Sequence, residues 1–244
     1  MHVLRSQLKL LILLLIFLLL LQPGTWELLL TLLIPQPLSQ VYSRTSFWEL
    51  LGQHAVLVGA AGLASSLVGL ALGILVTRPW GREFLPAVDS LASMGQTFPP
   101  VAVLALAVPA VGFGFPPTFI ALLLYGMLPV VRNSIAGLQA VPTSVKEAAA
   151  GMGMSRLQIL LKLELPLASG VLMAGVRTSV VINTGTATLG ATIGAGGLGA
   201  PIMAGLIGNK PAFVLQGAIL AGLFAVLLDR ILDRLQSRMA RMGS

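Results

Sequence analysis

From Ala55 to Val76 the chain runs twenty-two residues without a charge. As a helix rising 1.5 Å per residue that is about 33 Å, enough to cross a hydrocarbon core of about 30 Å. Further apolar stretches are expected as spans at Pro86 to Val111, Thr118 to Val131, Leu167 to Asn183 and Ala212 to Leu228. Arg5 and Lys9 precede a sixth, Leu10 to Leu21, which imitates a secretory signal peptide. No small-x-small cleavage site precedes Gln22-Pro23-Gly24-Thr25, and apolarity resumes from Leu28 to Ile34, so a broken or tilted anchor helix is expected instead. With 56% hydrophobic and only 9% charged residues, no single soluble core could hold this apolar surface. Backbone polar groups in lipid must be satisfied internally, so the fold class is all-α, a polytopic membrane protein of about six helices.

The net charge of +7 falls between the apolar segments rather than in a basic patch with stacking aromatics, so it reads as a topology signal and not as a nucleic-acid footprint. With the N-terminus inside, Arg5, Lys9, Arg78, Arg82, Arg132, Lys146, Arg156, Lys162, Arg230, Arg234, Arg238 and Arg241 are cytoplasmic, and Arg44 and Lys210 are outside. Both termini are then cytoplasmic. There is no cysteine, which excludes disulfides and thiolate metal sites, and His2 and His54 offer no ligand cluster. No metal site or catalytic constellation is expected. His54, just before the second span, reads as a headgroup-level histidine.

The orientation puts one polar insert in the cytoplasm, Ser144 to Pro166. Ser144 with Glu147, and Ser155 with Gln158, have the spacing of two capping boxes, each able to satisfy free N–H groups at a helix start. Two short helices are expected, with Gly151 and Gly153 in the turn between them, Pro142 bounding the first, and Pro166 where a membrane helix begins. Ala148, Ala149 and Ala150 leave the first helix without bulk, so another protein's surface could approach it. An ordinary cytoplasmic loop is the plainer alternative.

No Gly-x-x-x-x-Gly-Lys-Ser/Thr phosphate loop occurs, so energy must come from a partner. Gly194-Ala-Gly196-Gly-Leu-Gly199 matches a dinucleotide-binding pattern but lies among apolar segments and lacks the acidic residue about twenty positions later. It reads better as close helix approach or a re-entrant turn.

Glu147-Ala148-Ala149, then Gly153, then Leu163, Leu165 and Pro166, resembles the EAA loop of bacterial ABC importer permeases, with Leu163 standing where that family usually has Ile. Gln96-Thr-Phe-Pro-Pro100, Leu128-Pro-Val-Val-Arg-Asn133, Lys162-Leu-Glu-Leu-Pro166, Ala174-Gly-Val-Arg-Thr178 and Gly185-Thr-Ala-Thr-Leu189 through Gly199 extend the likeness over about Phe47 to Leu206. Together they resemble the osmoprotectant permeases that import glycine betaine, choline or carnitine, most of all the glycine betaine permeases of enterobacterial type. The resemblance implies a type I importer permease fold. Residues 1–54 would be an anchor helix and outer loop, 55–228 the transmembrane domain with its coupling loop at 142–166, and 229–244 a cytoplasmic tail. It also implies an ATPase subunit carrying ATP and Mg, a second permease subunit that is a copy or a paralogue, and a periplasmic or lipid-anchored binding protein. No cofactor is expected on this chain. Alternating access would follow, with closure of the ATPases pressing the helices around Glu147 together.

Arg177 is placed by residue count near the bilayer middle. It could attract a betaine carboxylate, or be held by helix-end carbonyls or an acid on another span. Thr97, Phe98, Thr186 and Thr188 are further pathway candidates, with packing as their ordinary role. The scattered aromatics make no quaternary-ammonium cage, so selectivity is expected on the binding protein. An importer for another small solute such as methionine, an ATP-independent carrier and a non-transporting scaffold remain the competing readings.

Overall fold

The computed structural model describes residues 2–33, 40–95 and 97–242. Ile34, where the expected anchor ends, the start of the outer segment and Gln96 lie outside them. In order the helices are α1 (His2–Leu20), α2 (Pro23–Leu33), α3 (Phe47–Thr77), α4 (Leu85–Gly95), α5 (Pro100–Val111), α6 (Phe115–Gln139), α7 (Thr143–Gly151), α8 (Arg156–Ile159), α9 (Leu165–Ala187), α10 (Gly199–Ile207) and α11 (Pro211–Met242). No strand occurs among the described residues.

Among the described residues, four helical stretches are long and apolar enough to cross a membrane: Phe47–Thr77, Phe115–Gln139, Arg156–Ile193 and Pro211–Met239. A fifth is reached if α1 and α2, bent by 90°, count as one broken span. The remaining expected span, Pro86 to Val111, divides into α4 and α5. Pro99 and Pro100 remove two N–H donors, and the residue before a proline is pushed out of helical conformation. The twelve residues of α5 reach only about 18 Å. The expected span ending at Val131 runs on to Gln139, which places Arg132 inside α6 rather than in a loop.

The chain divides into two compact units. One comprises Met1–Ala61, Pro100–Leu122 and Asn183–Arg230. Its core holds Phe17, Leu21, Trp26, Tyr42, Phe47, Leu198, Phe213 and Leu220. Trp26 Nε1 donates to Leu20 O at 2.6 Å, bracing the bend between α1 and α2. The Tyr42 N–H donates to Gln216 Oε1 at 2.9 Å, and Gln216 Nε2 donates to Gln40 O at 2.8 Å, tying the segment before α3 to α11.

The glycine-rich stretch packs in this unit by close backbone approach, as expected. Gly196 and Gly197 have φ of +73° and +72°, and the Gly197 N–H donates to Gln53 Oε1 at 2.9 Å. A Cβ on Gly199 would lie 2.1 Å from Thr188 O. No strand precedes the stretch, so the dinucleotide-binding reading has no structural context here. His54 is corrected. α3 starts at Phe47, so His54 stands two turns inside it, 1% exposed, with Nε2 3.1 Å from Thr184 O and its ring edge-on to Phe224. It is a packed interior residue rather than one lying before the span.

The second unit comprises Gly62–Pro99, Leu123–Ile182 and Ile231–Ser244. Small residues bring its helices together. A Cβ on Gly69 would meet Val130 at 2.7 Å and one on Gly73 would meet Ser134 at 2.3 Å, so the Gly-x-x-x-Gly face of α3 lies against α6. Gly175 of α9 comes as close to Asn133 and Pro129 O, on a neighbouring face of α6. Leu138, Val141 and Ala168 form a small core beneath them, with Leu165 packed against it.

Candidate functional site

The segment from Pro142 to Pro166 lies wholly in the second unit. Pro142 ends the extended approach with φ −57° and ψ 135°, and its carbonyl accepts from the Val145 N–H at 3.1 Å and, longer, from the Lys146 N–H at 3.4 Å. α7 therefore begins two residues earlier than the Ser144-Glu147 capping box requires. Ser144 stands inside the helix and no side chain caps it, which corrects that expectation. The second box is present: Ser155 Oγ accepts from the Gln158 N–H at 3.3 Å, and Gln158 Oε1 accepts from the Ser155 N–H at 2.8 Å.

Gly153 closes α7. The Met154 N–H donates to Ala149 O at 3.1 Å and the Gly153 N–H to Ala150 O at 3.0 Å, the paired bonds of a Schellman motif. This requires a left-handed residue, and Gly153 has φ +84°. A Cβ there would meet nothing within 4 Å, so the demand for glycine is conformational rather than steric.

The second of the two expected helices is not separate. α8 passes through one π-helical turn, Leu160–Glu164, straight into α9, and Arg156 to Ile193 forms one helical stretch. Pro166 is thus near the start of α9 but does not begin the membrane helix.

On α7 the Glu147, Ala148 and Ala150 side chains are exposed, whereas Ala149 is buried at 1%. Glu147 makes no ion pair among the described residues. Leu163 and Leu165 are half-buried and Pro166 is exposed. Around the turn Met152, Leu157 and Leu161 are exposed by 76, 62 and 54%. Three large apolar side chains beside a bare alanine face are what a protein partner would cover. Sequence reasoning missed them, because exposed and buried apolar residues look alike in one dimension.

It also missed the ion cluster behind this face. Glu164, on the π turn, is 4% exposed. Arg78, just past the end of α3, reaches its Oε2 at 2.7 Å, and Lys146 on α7 stands 3.8 Å from its Oε1. The available signal was a lone acid in the apolar run after Ile159, since a buried carboxylate needs a cation. The triad joins α3, α7 and α9 at one buried point.

The pathway candidates fall in both units. Thr97, Phe98 and Arg177 belong to the second, Thr186 and Thr188 to the first. The Phe98 ring is 55% exposed, and its carbonyl accepts from the Tyr125 hydroxyl. Thr188 Oγ donates to Gly185 O at 2.7 Å, a local bond within the helix end. The Arg177 guanidinium pairs with Asp233 and lies 3.5 Å from Gln236 Oε1. Asp233 is five residues beyond Leu228, where the apolar run of α11 ends. Of the three partners expected for Arg177, the acid on another helix is one that the structure supplies.

Residues 69–241 match the family model described as "Binding-protein-dependent transport system inner membrane component". The chain is 43% identical over 183 residues to the osmoprotectant import permease protein OsmY of Salmonella typhimurium, covering 75% of this chain and 78% of that one. It is 33% identical to the glycine betaine/carnitine/choline transport system permease protein OpuCB of Bacillus subtilis, over 83% of this chain and 94% of the relative. The methionine ABC transporter MetNI in an inward-facing form shares the fold, with a TM-score of 0.71 over 79% of this chain and 95% of that one, at 22% identity. With its apolar helices, its small-residue packing and this match over most of its length, the chain belongs to the binding-protein-dependent transport system inner membrane component family, as a multi-pass, non-enzymatic transport subunit.

Proposed function

We propose that this chain is the permease subunit of an ATP-driven importer for glycine betaine or a similar osmoprotectant, coupled to a separate ATPase through α7. The observation that carries the coupling is the exposed Glu147-Ala148-Ala150 face, flanked by Met152 and Leu157 and fixed by the Gly153 Schellman turn. The substrate class is supported by the relatives, whose names specify osmoprotectants, choline, carnitine and glycine betaine. The likeness to the methionine transporter, at 22% identity, speaks for the fold alone.

In this reading both termini and residues 142–166 face the cytoplasm, a second permease subunit and a substrate-binding protein complete the assembly, and ATP with Mg binds the partner. Closure of the ATPases moves α7. Through Glu164 the motion reaches α9 by the chain itself and α3 by the Arg78 ion pair. Arg177, Thr97, Phe98, Thr186 and Thr188 remain pathway candidates, with Arg177 acting only when Asp233 releases it.

The test is uptake of labelled glycine betaine into vesicles holding the chain with its ATPase and binding protein, competed by choline, carnitine and methionine. Osmoprotectants should compete and methionine should not. Glu147→Arg should abolish both uptake and co-purification of the ATPase. Uptake that persists without any ATPase would sink the reading.

A further inference from the structure

Behind α7 the second unit holds a polar cavity of about 490 Å³, lined among others by Arg78, Arg82, Gln139, Thr143, Lys146 and Glu164. Three cations face one carboxylate there, a surplus of two positive charges. Glu164 is spoken for, by Arg78 at 2.7 Å and more distantly by Lys146 at 3.8 Å. Arg82 makes no ion pair among the described residues.

The elbow that presents Arg82 is built rather than loose. The Gly81 N–H donates to Arg78 O at 3.1 Å, the Phe84 N–H donates to Gly81 O at 3.0 Å, and a Cβ on Gly81 would fall 2.0 Å from Leu75 O. The same elbow exposes Trp80 by 68% and Phe84 by 59%. Exposed aromatics directly after a membrane-spanning helix mark the headgroup level of the bilayer. Arg82 lines the cavity from between these two aromatics in the chain, so a lipid phosphate at that level is an anion within its reach.

We infer that this cavity is a binding site for the phosphate of an anionic phospholipid, held by Arg82 and Lys146 with Thr143 and Gln139 as neutral partners. Trp80 and Phe84 lie against the glycerol and upper acyl region. Because Lys146 belongs to α7, an occupied site draws that helix toward the elbow after α3, so lipid composition sets how firmly α7 is held. This goes beyond the transport reading and does not depend on which solute is carried.

The experiment uses the complete transporter in nanodiscs of phosphatidylcholine with spin-labelled phosphatidylglycerol or spin-labelled phosphatidylcholine as probe. The protein-restricted fraction of each probe gives the selectivity. The wild type should prefer the anionic probe about fivefold, the scale expected from one or two basic groups at the surface. Arg82→Gln with Lys146→Gln should bring the ratio to about one. Arg82→Lys with Lys146→Arg should keep it, as should Lys162→Gln, which removes an exposed cation outside the cavity. Should the double variant fail to assemble, Arg82→Gln alone, on the exposed elbow, reads the same ratio. A wild-type ratio of one, or a preference unchanged in the Gln variants, overturns the inference. In discs of phosphatidylcholine alone, protection of Lys146 from amine modification by millimolar inorganic phosphate would assign the cavity to a soluble anion and overturn the lipid source.

Discussion

Arg78 Nη1 lies 2.7 Å from Glu164 Oε2, joining the elbow after α3 to the π turn ahead of α9 through a carboxylate that is 4% exposed. Removing one partner of a fully buried pair costs about 3–5 kcal/mol. The Arg78 side chain keeps 20% of its surface in contact with solvent, so the cost is smaller.

Glu164→Gln should lower stability by about 2 kcal/mol, and a cycle with Arg78→Gln should return most of that as coupling energy. Thermal unfolding of the purified complex in detergent measures it. Additive losses would show that the two side chains do not depend on each other. If the triad also transmits motion, Glu164→Gln should leave ATPase binding intact while uptake falls.

Gly153 is required for its left-handed φ and for nothing else, since its surroundings are empty. The expected order of disruption is Val, then Ala, then Asn, with Gly153→Ala costing about 1–2 kcal/mol. Amide exchange across residues 143–155 should rise in that order. Equal effects of Asn and Val would contradict the conformational account.

At Gly197 both demands apply, because φ is +72° and a Cβ would lie 2.9 Å from His54 Nδ1. Gly197→Ala should therefore cost more than Gly153→Ala, about 3 kcal/mol when the strain and the overpacking are combined. Gly24→Ala, at a glycine with open space and ordinary backbone, serves as the near-neutral control in the same melting experiment.

Ser155→Ala should cost about 1 kcal/mol through loss of its cap, with Gln158→Ala non-additive, whereas Ser144→Ala should be close to neutral. The pair of serines separates sequence spacing from geometry. A Ser144→Ala loss as large as that at Ser155 would restore the first capping box.

Arg177 and Asp233 are partly exposed, with 27% and 43% of their side-chain surface accessible, so Arg177→Met should change stability by less than about 1 kcal/mol. The informative variant is the exchange Arg177→Asp with Asp233→Arg. Uptake restored by the exchange assigns Arg177 to the ion pair. Uptake that stays lost while the protein folds returns Arg177 to the substrate pathway.

The helical fold was legible because long uncharged runs admit only one backbone solution in lipid, and the family because Glu147, Gly153 and Pro166 stand at diagnostic intervals. Local chemistry was less legible. Ser144-Glu147 and Ser155-Gln158 carry the same spacing, yet only the second caps, since Pro142 starts its helix two residues too early for the first. The run from Pro86 to Val111 looked continuous in hydropathy, while the Pro99-Pro100 pair divides it through missing donors that hydropathy does not register. Long-range partners such as Arg78 with Glu164, or Arg177 with Asp233, depend on which helices pack together. That information is spread over glycines and small side chains rather than written at the charges.

The π turn at Leu160–Glu164 carries one more residue than the α-helical pitch allows. Each extra residue in a helix advances the azimuth by about 100°. Everything from Ser155 to Ile159 is thereby offset in phase from α9, like a keyway cut partway round a shaft. Deleting a single residue between Leu160 and Leu163 would leave both helices intact and Glu164 in phase with α9, yet it would swing Leu157 to a different bearing.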